Sequence, residues 1–317
     1  MAEKKRLLTG LQSSGQLHIG NYFGALKPFL TTYEEYESFL MIADYHALTS
    51  LKDPAALKQN IIDVVKDYMA VGVDPTKAVI FQQSRVQEHT ELAWIFDCLV
   101  TVPFLELGHA YKDKVAKGLE ANAGLFTYPM LMAADILLYD TDVVPVGEDQ
   151  RQHIEYAREA AAKFNNAYGQ TFKEPQEKIQ KEIAIVPGTD GKKMSKSYGN
   201  TIPLFGSKEE ITKAVMSIVT DSSGERPENV YAIHKLFRPQ VEHEELDAAY
   251  NKLRGSYKTL KELLIEDIEN VIAPMREKRN SISDEDVKKV IEEGSAKAKA
   301  IASAKMADVR NKVGVSI

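Results

Sequence analysis

The chain has 317 residues, 44% hydrophobic and 27% charged, with one cysteine and a formal net charge of −6. That length supports two domains with cores of their own, and the lone Cys98 excludes an internal disulfide or a cysteine-rich metal site. The acidic balance does not by itself suggest a nucleic-acid partner, although a local basic stripe is compatible with it.

The charged start Met-Ala-Glu-Lys-Lys-Arg leads into no long apolar segment, so no leader is expected. The run from Met130 to Tyr139 contains Asp135 and is too short to span a bilayer, and the expectation is a cytoplasmic protein without membrane partners.

Leu7 to Leu11 reads as a buried first strand, followed by the loop Gln12-Ser13-Ser14-Gly15-Gln16-Leu17-His18-Ile19-Gly20-Asn21. Gly15 and Gly20 are placed as in a Walker A loop, but Asn21 and Tyr22 stand where Lys and Ser/Thr belong. The glycines and the helix start beyond them suit a polyphosphate, with a plain tight turn as the alternative. Asn21 to Tyr36 follows as a helix that Pro28 kinks or ends early.

Ser38 to Ala43 is a second strand, whose carboxyl end delivers His46 either to a ligand crevice or to the core. Asp53 caps a helix that Pro54 opens and that runs to Ala70; Ala78 to Gln83 is the third strand. Alternation at this spacing predicts a parallel sheet.

Glu91 to Leu107 holds too many apolar residues for a one-sided helix, so it is buried in the monomer or meets a second subunit. Lys112-Asp113-Lys114 reads as an exposed charged turn.

Gly124 to Tyr139 is a helix with Tyr128, Met132 and Asp135 on one face. A carboxylate in so apolar a setting needs an internal donor or a ligand's N–H or O–H, and the ligand is the expected partner. Asp142 to Val146 is another strand, ending at Gly147-Glu148-Asp149-Gln150, where acidic groups at a helix start suit ribose hydroxyls and an ammonium. The loop Gly191-Lys192-Lys193-Met194-Ser195-Lys196-Ser197 follows. The composition shifts near residue 205, and capping boxes at Ser207–Glu210 and Ser283–Asp286 begin amphipathic helices. Arg276, Lys278 and Arg279, and Lys297, Lys299, Lys305, Arg310 and Lys312, form two basic groups that are either solvated faces or an RNA surface.

His-Ile-Gly-Asn early and Lys-Met-Ser-Lys-Ser late resemble the two signatures of the class I aminoacyl-tRNA synthetases. Tyr-Pro-x-Leu-Met-Ala-Ala-Asp-Ile-Leu followed by Val-Pro-Val-Gly-Glu-Asp-Gln-x-Gln-His is similar to the tryptophanyl branch. The likeness covers Leu8 to about Ser223. It departs at Leu8 and Ser13, where the family often has an aromatic residue and a proline.

The resemblance implies an α/β chain: a Rossmann-type parallel-sheet catalytic domain over 1–205 and an all-α anticodon-binding domain over 206–317. A helical insertion at about 88–125 would form a homodimer interface. It also implies activation of tryptophan by ATP with Mg²⁺, then transfer to tRNA. His18, Asn21, Lys193, Ser195 and Lys196 would carry the chemistry. Gln12, Ser13, Ser14, Gly20, Lys114, Gly147, Glu148, Asp149, Ile183, Met194 and Ser197 would help hold the nucleotide. Gly10, His46, Tyr128, Met132, Asp135, Ile136, Val144, Val146 and Gln150 would bind the amino acid, with Asp135 accepting the indole N–H. A tyrosyl-specific relative, a nucleotidylyltransferase with a His-x-Gly loop and a non-catalytic tryptophan sensor are the alternatives.

Overall fold

The computed structural model describes residues 4–11, 15–118, 120–146, 151–179, 186–220 and 226–316. The chain opens with β1 (Arg6–Leu11), whose Leu7, Leu8 and Leu11 are buried. It continues through α1 (Ile19–Asn21), a π turn over Tyr22–Leu26 and α2 (Lys27–Leu30). The wide π turn, with Lys27 N–H reaching Tyr22 O, accommodates Pro28 without the clash a regular turn would impose. β2 (Glu37–Ile42), α3 (Asp44–Ala47), α4 (Pro54–Val71) and β3 (Ala78–Gln82) come next. Asp53 caps α4 by accepting from Ala55 and Ala56 N–H, and Gly72 at φ 121° ends it.

Four helices then cross over: α5 (Glu88–Asp97), α6 (Val102–Leu105), α7 (His109–Ala116) and α8 (Ala123–Leu137). Lys112 to Lys114 lie within α7, so the expected charged turn is a helix. β4 (Val143–Val146), α9 (Arg151–Tyr168) and β5 (Gln176–Ile179) complete the sheet. All pairings are parallel, in the order β3-β2-β1-β4-β5, with Leu8 beside Phe39 and Val143 beside Gln176. The order reverses between β1 and β4, which places a crevice at their carboxyl ends.

The remaining helices are α10 (Lys208–Met216), α11 (Glu228–Phe237), α12 (His243–Lys252), α13 (Tyr257–Ser281) and α14 (Asp284–Val313). Both capping boxes form. The residues from 206 onward are helical, as expected, and the last of these helices also packs on the sheet. Ala298, Ala302, Met306 and Val309 of α14 lie in the same core as Leu8, Phe39 and Phe81. The physical reason is the outer edge of β3. Gly294 lies so close that a Cβ there would sit 1.9 Å from Ile80 O, and Ser295 Oγ accepts from Gln82 N–H at 3.2 Å. A helix thus covers an edge that would otherwise present bare backbone groups.

α13 is tied to α4 in a similar way. Arg279 donates through Nε to Asp67 (2.5 Å) and through a terminal nitrogen to Asp63 (2.7 Å). Arg276 pairs with Glu269, Lys305 with Asp140, and Arg310 with Glu91. Lys299 donates to Gln87, and Lys312 to Gln170 O. Much of the charge read as two basic surface groups therefore fastens the helices to each other and to the sheet.

Candidate active site

The crevice between β1 and β4 opens into a cavity of about 610 Å³. Gly10, His46, Tyr128, Met132, Asp135, Ile136 and Val144 all line it, together with Thr9, Met41 and His153. Strand ends supply Gly10, Met41 and Val144; α8 supplies Tyr128, Met132 and Asp135 from one face. Tyr128 shares a 3.1 Å hydrogen bond with His153 on α9. The Val146 side chain and all of Gln150 lie outside the described residues.

Asp135 is buried, and its carboxylate takes three bonds from within the protein. Oδ1 accepts from His89 Nδ1 at 2.6 Å and from Gln83 Nε2 at 2.8 Å, and Oδ2 accepts from His46 Nε2 at 2.7 Å. Burial pushes the carboxyl up, but the pull of His89 and the bonds from both histidines outweigh it and hold it at about 2. The sequence favoured a ligand donor over internal ones; internal donors are present, and the cavity still reaches the residue. His46 is therefore at once a cavity residue and a partner of Asp135.

The two loops meet across the other end of the crevice. Leu204 N–H donates to Leu17 O, Ile19 N–H donates to Ile202 O, and His18 bridges Pro203 in antiparallel fashion. Lys196 Nζ donates to Gly15 O at 3.0 Å, which closes the gap between the signatures. Gly15 has φ +87°, a conformation that favours glycine. Gly20 is needed for close approach: a Cβ there would lie 2.8 Å from His18 Nδ1. Asn21 Oδ1 accepts from His18 N–H at 3.1 Å. His18 is buried, and its Nδ1 has no hydrogen-bond partner among the described residues. Burial, with the Lys196 ammonium second, holds its imidazole down to about 4, so the ring is neutral near pH 7.

Asn200 braces the second loop from inside. It accepts from Ser195 N–H (2.8 Å) and donates to Asp190 (2.7 Å) and to Lys193 O (3.1 Å). Met194 is buried beneath the loop, Lys193 is exposed, and the Ser195 and Ser197 hydroxyls share a 2.9 Å bond. Lys114 is half-buried on α7. Gln12, Ser13, Ser14, Gly147, Glu148, Asp149 and Ile183 fall outside the described residues.

Residues of the site missed in the sequence include Gln83, His89 and Asn200, besides Thr9, Met41 and His153 of the cavity lining. Gln83 follows β3 as His46 follows β2, so the strand-end rule that found one could have found the other. His89 opens a helix read for its apolar side chains, and Asn200 lies just past the signature it supports.

The geometry is thus an anion-accepting pair of loops beside a mostly apolar slot that ends in a buried carboxylate. A family model described as tRNA synthetases class I (W and Y) matches residues 1–297. The chain is 49% identical to the tryptophan–tRNA ligase of Fusobacterium nucleatum, over 98% of each chain. It is 46% identical to that of Campylobacter jejuni, over 98% of this chain and 100% of the other. The crystal structure of the Campylobacter jejuni tryptophanyl-tRNA synthetase complexed with ADP and tryptophan superposes with a TM-score of 0.93. That comparison covers 98% of this chain and 99% of the other at 46% identity.

Proposed function

Because the chain belongs to the class I tRNA synthetases for tryptophan and tyrosine, we propose that its cavity and paired loops perform the two-step charging of tRNA with L-tryptophan. As a tryptophan–tRNA ligase it is an ATP-dependent enzyme that forms tryptophanyl-adenylate and pyrophosphate, then passes tryptophan to tRNA(Trp). The observation that carries the site assignment is the convergence of Lys196 on Gly15 beside a slot ending in Asp135.

The substrate carboxylate is itself the nucleophile, so the site needs no activated serine or cysteine. What it must supply is alignment and relief of charge on the phosphates. The His18 imidazole and the Asn21 amide donate to phosphate oxygens. Lys193, Ser195 and Lys196 take the charge of the departing pyrophosphate. Mg²⁺, when bound with the nucleotide, would add positive charge at those oxygens. Among the described residues no three His, Cys, Asp or Glu side chains gather to hold a metal. Gln12, Ser13, Ser14, Gly20, Lys114, Gly147, Glu148, Asp149, Ile183, Met194 and Ser197 complete the nucleotide site.

An ionised carboxylate offers about four acceptor positions. With three filled on Asp135 by donors among the described residues, one is left on Oδ2 for the indole N–H. Met132, His46, Ile136, Val144 and Val146 flank the ring; Gly10 lies along it, and Tyr128 and Gln150 take the α-ammonium. Residues 206–317 present the anticodon-binding surface, although α14 is shared with the sheet. Residues 88–125 form a homodimer interface: Trp94, Val102 and Leu107 are exposed apolar residues of that segment. Cytoplasmic residence completes the reading; among the described residues no helix is long and apolar enough to cross a membrane.

Pyrophosphate exchange measured with each of the twenty amino acids, and charging measured with tRNA added, test the assignment. Exchange should depend on tryptophan alone and charging should need tRNA(Trp). Exchange with tyrosine at a similar rate, or none with any amino acid, would overturn it.

A further inference from the structure

Asp135 is governed by residues that never reach the cavity. His89 lies on α5, fully buried, with its ring stacked on Phe81 at 6.0 Å and 24°. Its Nδ1 meets Asp135 Oδ1 at 2.6 Å and its Nε2 meets the Tyr139 hydroxyl at 2.8 Å. Tyr139 is fully buried in turn, stacked on Phe39 and edge-on to Phe81. Neither His89 nor Tyr139 lines the cavity, whereas His46 and Asp135 do.

Each nitrogen of the ring therefore has an assigned duty. A proton on Nδ1 is donated to the carboxylate; a proton on Nε2 alone would leave two lone pairs facing each other at 2.6 Å. With the proton on Nδ1, the bare Nε2 is an acceptor in an apolar core, and the Tyr139 O–H supplies what it needs. The hydroxyl thus fixes the tautomer, and the tautomer fixes the carboxylate. His89 and Gln83 together fill Oδ1, which leaves Oδ2 as the atom with room for a ligand N–H. A lysine or arginine in place of His89 would also fill Oδ1 but would neutralise the acceptor.

We propose that His89, held by Tyr139, is a positioning residue that sets tryptophan specificity by presenting Asp135 Oδ2 to the indole N–H. The proposal rests on the reading of Asp135 as the indole acceptor.

The test compares L-tryptophan with its benzothienyl analogue, in which sulfur replaces the indole N–H, by their KM values in pyrophosphate exchange. The wild type should favour tryptophan by roughly 10- to 100-fold, the value of a hydrogen bond to a charged acceptor. His89→Leu should bring that ratio to within about threefold of unity while the KM for ATP is unchanged. His89→Asn, whose amide N–H falls where Nδ1 stood, should retain most of the preference, and Tyr139→Phe should lose several-fold of it. A folded His89→Leu enzyme with the wild-type ratio overturns the proposal. Where that variant does not fold, Tyr139→Phe decides: an undiminished ratio overturns it. A wild type that does not discriminate removes the reading of Asp135 as well. A wild type that discriminates as well as its variants do removes only the role of His89.

Discussion

Replacing Lys196 with alanine tests the clamp most directly. In the structure its ammonium donates to Gly15 O at 3.0 Å, a neutral acceptor that a triphosphate would displace. A unit charge about 4 Å from a phosphate oxygen is worth roughly 4 kcal/mol at an effective dielectric near 20. Giving up the bond to the Gly15 carbonyl offsets about 1–2 kcal/mol of that. The net of about 2–3 kcal/mol is roughly 30- to 150-fold in rate, which meets the lower end of the roughly 10²–10³-fold that one charge-stabilising donor contributes. Rapid-quench single turnovers with tryptophan and ATP should show adenylate formation slowed by about that factor. Transfer from preformed adenylate to tRNA should be spared, because the pyrophosphate has already left. A single-turnover rate within about threefold of wild type would refute the clamp as argued.

Gly294→Ala should push α14 off the β3 edge at a cost of about 2–4 kcal/mol, from overpacking and a lost partner for Gln82 N–H. Thermal melting should fall by roughly 3–6 °C, and an unchanged midpoint would mean the edge yields cheaply. Arg279→Glu leaves buried Asp67 without its partner, which costs about 3 kcal/mol or more. Denaturant titration should show that loss, and exchange and charging should decline together; selective loss of charging would restore Arg279 to an RNA surface. His18 has a folded value near 4 against an ordinary 6.5, so its contribution to stability is present above about 6.5 and lost as pH falls through 4. An NMR titration that finds its ring ionising near 6.5 would contradict this. Trp94→Glu should turn a dimer into a monomer by sedimentation, with a wild-type monomer as the contrary result.

Much of the site was legible because its residues break local rules. Glycines at 15 and 20 interrupt a strand-to-helix passage, and Asp135 is a charge inside an apolar helix. Such exceptions mark places where function overrides packing. Four of the five described strands were legible as apolar runs. β5 was not, because Gln176-Glu177-Lys178 has the polar composition of an edge strand bonded on one side. Arg279 looked like surface charge because its partners, Asp63 and Asp67, lie 216 and 212 residues earlier. The same distance in sequence hid the docking of α14, for which a glycine within a helix is the only local sign. His89 was hidden for another reason: a buried histidine at a helix start gives no periodic signal at all.

The helix that covers β3 also sets a timetable for synthesis. Ser295 lies 213 residues beyond Gln82, whose N–H it receives. A ribosome adding about 5–20 residues per second leaves the outer strand uncovered for roughly 10–40 s of translation. Through that interval the nascent sheet offers a pairing edge to any other chain or to a chaperone. Slower translation between the two positions would lengthen that exposure.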